Sequence, residues 1–195
     1  MPSPALETWL IDSAKRLGEI ESAHRAIGGI APGRRYATTQ LNFAYVTTLS
    51  AVFQAYCRTL HSGCASALAR PGVTPVGDIF FRALTEGRKL DSGNPNPGNI
   101  GSDFGRFGIQ FWPAMVRANP KVAPWKAKLE TMNIWRNAIA HHDFRFSGTS
   151  SPLAGRTTIT LAEAKKMYSV CQRLAESFDR TMYREIIKIG GEKPW

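Results

Sequence analysis

The chain has little that could lock it covalently or seat it in a membrane. It holds three cysteines in 195 residues, an odd and small number that excludes a full disulfide framework and reads as reduced thiols. No run of about eighteen apolar residues occurs, so no membrane span is expected. The start, Met1 to Glu7, has neither the basic flank nor the apolar core of a secretory signal. These absences lead to the expectation of a cytoplasmic protein. There is no Gly-x-Ser-x-Gly elbow and no phosphate loop ending in Gly-Lys-Ser/Thr, which argues against an α/β-type hydrolase and against nucleotide hydrolysis of the P-loop kind. Cys57, His61 and Cys64 share one helical face, but a structural metal wants four ligands, usually from two segments. No paired Cys or His motif supplies the rest. Buried thiols around a hydrogen-bonded histidine are therefore expected, Cys171 reads as core, and nothing calls for a metal or a cofactor.

Acidic residues are also scarce. Against 15 Asp and Glu stand 25 Lys and Arg, giving a net charge of +10 and a pI near 9.9. Such a surface attracts polyanions, nucleic acid first among them or an acidic protein. The blander reading is solubility, because the arginines are spread through the whole chain. With 43% apolar residues the length suits one buried domain covering residues 1–195.

Apolar spacing is helical almost throughout. Leu6, Leu10, Ala14, Leu17 and Ile20 mark a first helix, over about residues 5–25. Leu41, Tyr45, Leu49, Val52, Tyr56 and Leu60 lie on one stripe of a helix from Thr39 to Ala69, closed by Pro71. A short helix is expected over 78–90, then an irregular loop over 92–99, where turn formers crowd together. Glycines and Pro113 break residues 100–119 into pieces, with Phe104, Phe107, Phe111 and Trp112 inward. The pattern is helical again over 124–142. A loop spans 148–156, and Thr160-Leu-Ala-Glu163 fits a capping box for a last helix ending at Gly190-Gly191. The fold expected is all-α, a bundle of about five main helices with irregular loops.

Only four histidines occur, and two of them stand together in Trp135-Arg136-Asn137-Ala138-Ile139-Ala140-His141-His142-Asp143. On a helix turning about 100° per residue, Leu129, Met132, Trp135 and Ile139 form a core face. Asn137 and His141, four apart, point the other way alongside Ile134 and Ala138, with Arg136 at the border. A helix apolar on both sides packs on both sides, and a second copy of the chain is the expected second neighbour. Cleaving RNA with side chains alone takes a base for the 2′-hydroxyl, an acid for the 5′-oxygen and positive charge on the phosphate. A twofold axis past His141 would bring two histidines and two arginines into one cleft. The spacing by itself is weak, since about one match to Arg followed by His at four to six residues is expected by chance. The competing reading is that Arg136 and His142 finish a helix C-terminus, where the dipole favours cations.

The run Arg136-Asn137-Ala138-Ile139-Ala140-His141 resembles the motif of the HEPN superfamily, and within it the group called RiboL-PSP-HEPN. The helix containing Leu41-Asn42-Phe43-Ala44-Tyr45, the segment Asn94-Pro95-Asn96-Pro97-Gly98-Asn99-Ile100 and the long final helix also look like that group. The resemblance covers about residues 36–189, with the N-terminal helix packed on that core. It implies an all-α bundle that dimerises around a metal-independent endoribonuclease site, with RNA as substrate. Such proteins often act as toxins or anti-phage effectors, which implies an antitoxin or regulatory protein as partner. The family's Arg, polar residue and His fall on Arg136, Asn137 and His141, with His142 as an auxiliary. One subgroup carries Tyr two residues after the His, where this chain has Asp143, so its nucleotidyltransferase partner is not implied. Some members have lost catalysis and only bind RNA, nucleotides or proteins, and such a binding module is the alternative reading. A plain helical scaffold is the third. The Arg34-Arg35 pair is a further candidate for touching a phosphate backbone.

Overall fold

The computed structural model describes residues 1–28, 36–70, 72–144, 153, 155–190 and 192–195. Within them every regular element is helical, so the fold is all-α. No described helix is long and apolar enough to cross a membrane. Four helices are long: α1 (Pro4–Gly28), α2 (Thr39–Ala69), α7 (Val122–His141) and α8 (Leu161–Gly190). Four are short: α3 (Pro75–Thr85), α4 (Lys89–Ser92), α5 (Pro97–Phe104) and α6 (Phe111–Ala118).

The 31 residues of α2 span about 45 Å and form the axis of the molecule. Tyr45, Val46, Leu49, Phe53, Tyr56, Leu60 and Cys64 make a continuous buried stripe along it, and α1, α3, α7 and α8 pack around it. Arg70 ends the helix in the left-handed region, returning its N–H to the Ser66 carbonyl. Pro71, expected to close this helix, lies outside the described residues, as do Gly29, the Arg34-Arg35 pair, Gly191, residues 148–152 and Ala154. The first helix lies on α2 through Leu6, Trp9 and Leu17, with the Trp9 ring edge-on to Phe53 at 5.5 Å. Ser3 ties it down: its hydroxyl accepts from the Leu6 amide, and its own amide donates to the Asp179 carboxylate on α8.

The last helix starts as expected. Glu163 N–H donates to the Thr160 hydroxyl, and the Glu163 carboxylate accepts from the Thr160 amide, so two free helix donors are satisfied reciprocally. Ala164, Cys171, Leu174, Phe178, Met182 and Ile186 are then buried in sequence. Of the three cysteines, all are buried and free.

Two expectations about the middle of the chain are corrected. The helix over 78–90 is instead α3, which starts earlier at Pro75 under a Thr74 cap and stops at Thr85; α4 follows separately after Gly87, whose φ is positive. The stretch 92–99 is not irregular to its end, because Asn96 caps α5 and Pro97 occupies its first turn. Turn formers and helix starters are the same residues, and the pattern alone could not separate them. Residues 100–119 do break into pieces. Phe104, Phe107 and Phe111 are buried, Phe104 stacks on Phe111 at 4.6 Å, and Trp112 is half-buried with its indole N–H on the Pro97 carbonyl.

Candidate functional site

The C-terminal half of α7 positions the candidate groups. Leu129, Met132 and Trp135 are buried as the core face, while Ile139 is half-buried. Ala138 is corrected: assigned to the outer face with Ile134, it is 1% exposed and Ile134 is half-buried. The second apolar side of α7 is thus covered within one chain. The turn after α4 also docks on this helix: Asn133 donates to the Pro95 carbonyl at 3.1 Å, and Asn94 donates to the Asn137 carbonyl oxygen. Apolarity on two sides therefore does not by itself require a second copy. Large exposed apolar side chains lie elsewhere, among them Val76, Ile79 and Phe80 on α3.

These contacts settle how Asn137 is presented. Its side-chain oxygen accepts from Asn94 and, at 3.3 Å, from Nη1 of Arg136. With the acceptor occupied, the amide N–H donors are the atoms left for a ligand. The half-buried Arg136 makes no ion pair with a described residue, and among the described residues its guanidinium bonds only to Asn137. His141 is exposed on the last turn of α7, one turn beyond Asn137 on the same face. Guanidinium, amide donors and imidazole in a row make a surface suited to an anionic group.

His142 departs from that row. It terminates α7 with φ 50° and ψ 32°; its amide donates to the Ile139 carbonyl, and the next amide, of Asp143, reaches back to Ala138. Its ring meets Phe144 edge-on at 5.8 Å, and Phe144 stacks on Phe43 of α2 at 5.7 Å. An L-residue in this conformation costs about 1–2 kcal/mol, so His142→Gly is expected to stabilise the protein by about 1 kcal/mol. A thermal melt that stays level or falls would show that the His142–Phe144 contact outweighs the backbone strain.

Sequence reasoning missed Asn94, Asn133 and the Pro95 carbonyl as supports of the site. The signal was present: three asparagines in a turn, and Asn133 one helical turn before Asn137. Which helix that turn would dock against was not. Asn99 secures it by donating to the Asn94 carbonyl at 2.8 Å, and Gly93 leaves no room for a side chain, since a Cβ there would sit 2.7 Å from the Asn99 amide. Asn94→Asp should be worse for any ligand than Asn94→Ala. A carboxylate facing the Asn137 oxygen would turn that amide over and point its carbonyl at the anion. Equal losses of RNA affinity in the two variants would rule out this orienting role.

The Cys57, His61 and Cys64 face is part of the core. His61 Nε2 donates to the Asp103 carbonyl at 3.0 Å, Nδ1 faces Arg88, and its ring packs on Phe107 at 4.6 Å. Burial pushes its pKa down to about 4. Among the described residues no three His, Cys, Asp or Glu gather as a metal would need. Comparison with family models, curated proteins and solved structures finds no match to this chain.

Proposed function

We propose that this chain is an endoribonuclease of the HEPN type, close to the RiboL-PSP-HEPN group, that works as a homodimer on RNA without a metal. The observation that carries the reading is the row of donors on α7: Arg136, the Asn137 amide held donor-outward by Asn94, and His141. The net charge of +10 supplies the attraction for a polyanion.

In this reading His141 takes the proton from a ribose 2′-hydroxyl, the 2′-oxygen attacks the adjacent phosphorus, and the bond to the 5′-oxygen breaks as that oxygen receives a proton. The acid is His141 of the second copy, because one chain brings a single imidazole into the row and His142 is turned off the helix. Arg136 and Asn137 hold the non-bridging oxygens as charge builds on them, the guanidinium contributing about 3 kcal/mol if it behaves like other preorganised donors. The products are a 2′,3′-cyclic phosphate and a free 5′-hydroxyl. A role as a toxin or anti-phage effector, restrained by an antitoxin or regulatory protein, fits an enzyme aimed at RNA.

The test is RNA incubated with the protein in excess EDTA. Cleavage with cyclic-phosphate ends, abolished by a 2′-deoxy substitution at the cut site, is the expected result. Cleavage of the deoxy substrate would overturn internal attack. Salt-sensitive binding without cleavage at high protein concentration would replace the enzyme by a binding module.

A further inference from the structure

On the side of α7 away from Asn137 and His141, the start of α8 leaves a hollow of about 220 Å³. Its floor is apolar, made by Trp135, Met167 and Val170. Arg156 forms one wall, its guanidinium 5.5 Å from the Trp135 ring centre and held by Glu163 at 2.8 Å. That ion pair balances Arg156, and the capping box occupies Glu163 further. Lys128 and Lys166 stand exposed at the rim, and neither makes an ion pair with a described residue. Two cations with no ion-pair partner among the described residues thus stand at the rim of a mainly apolar hollow beside a wall already fixed in place, an arrangement suited to a ligand that is apolar at one end and anionic at the other.

We propose that this hollow binds a small aryl anion: a single ring seated on Met167, Val170 and the Trp135 edge, with its carboxylate or phosphate between Lys128 and Lys166. Size selects the ring. At about 220 Å³ the hollow is smaller than the roughly 300–1,000 Å³ of sites for drug-sized molecules, which matches a single ring. Nothing in the arrangement reads a specific hydrogen-bonding edge, because Thr131 donates to the Ala127 carbonyl and Glu163 is engaged. Recognition rests on shape and charge.

The test uses benzoate and phenyl phosphate as probes, with benzyl alcohol and inorganic phosphate as controls, followed by equilibrium dialysis of the full chain. Both aryl anions are expected to bind, with each control at least about tenfold weaker and with affinity falling as salt rises. Reversing both rim charges, Lys128→Glu with Lys166→Glu, should weaken the aryl anions about tenfold or more. These side chains are on the surface, so the fold is retained. Met167→Trp, which fills the hollow, should block them while leaving the rim charge intact. Arg136→Ala, outside this hollow, should leave aryl-anion binding unchanged. Equal binding of benzyl alcohol, equal binding of inorganic phosphate, loss through Arg136→Ala with the lysine variants unaffected, or no binding of either aryl anion at about 1 mM would each overturn the proposal. None of these outcomes bears on RNA cleavage, so this site and the α7 donor row stand or fall separately.

Discussion

His141→Ala is expected to lower single-turnover RNA cleavage by about 10²–10⁴, and Arg136→Ala by about 10²–10³. The two losses have different origins. Removing the imidazole takes away proton transfer at both oxygens, because in a symmetric cleft the same residue serves as base in one subunit and acid in the other. Removing the guanidinium leaves proton transfer intact and takes away charge stabilisation of the phosphate in the transition state. His141 is exposed at the end of α7 and carries no packing duty, so its alanine variant should melt with the wild type. Arg136 is half-buried and bonded to Asn137, so a small loss of stability is expected there. Arg136→Lys should recover little, because an ammonium cannot reproduce the planar fork. Wild-type rates in both alanine variants would end the assignment. Activity per chain should also fall on dilution as the dimer dissociates, and a rate strictly proportional to concentration in a sedimenting monomer would remove the second imidazole from the mechanism.

Stability is expected to fall by about 2 kcal/mol between pH 7 and pH 5, and by about 3 kcal/mol at pH 4, through His61 alone. In the unfolded chain this imidazole takes a proton near its ordinary value of 6.5; in the folded chain burial delays that to about 4. Between those values the unfolded state holds the extra proton, so stability is present at neutral pH and drains away as pH falls toward 4. The structure supports a neutral ring, with Nε2–H donating to the Asp103 carbonyl and Nδ1 turned to the Arg88 guanidinium. Other groups titrate in acid too: burial raises the Asp179 carboxyl, while hydrogen bonds and cations lower Asp91 and Glu163. The His61→Gln difference isolates the histidine. Urea unfolding at pH 7 and pH 5 should show a steeper loss in the wild type than in the variant. Parallel losses would place the acid sensitivity elsewhere.

Much of this architecture was legible along the chain. Strong periodicity fixed the position of α2 between Thr39 and Ala69, and the capping box at Thr160 and Glu163 located the start of α8. Such signals are local: a stripe recurs every turn, and a cap is satisfied within three residues. The short helices were less legible, because Asn96 and Pro97 signal a turn and a helix start alike, and only their contacts decide between the two.

The same division runs through the candidate site. By itself the sequence determined that Asn137 and His141 share one face of a helix with Arg136 at its border, since an α-helix places residues four apart on one side whatever surrounds it. It also determined the positive charge and the scarcity of thiols. Only tertiary structure decided that Ala138 is covered, that Asn94 holds the Asn137 amide donor-outward, and that His142 leaves the helix. The first depends on how the other helices pack around α7, the second on a turn more than thirty residues away docking against it, and the third on how the chain must bend to leave that helix. Hydrogen bonds between distant segments are set by packing, and packing is a property of the whole fold.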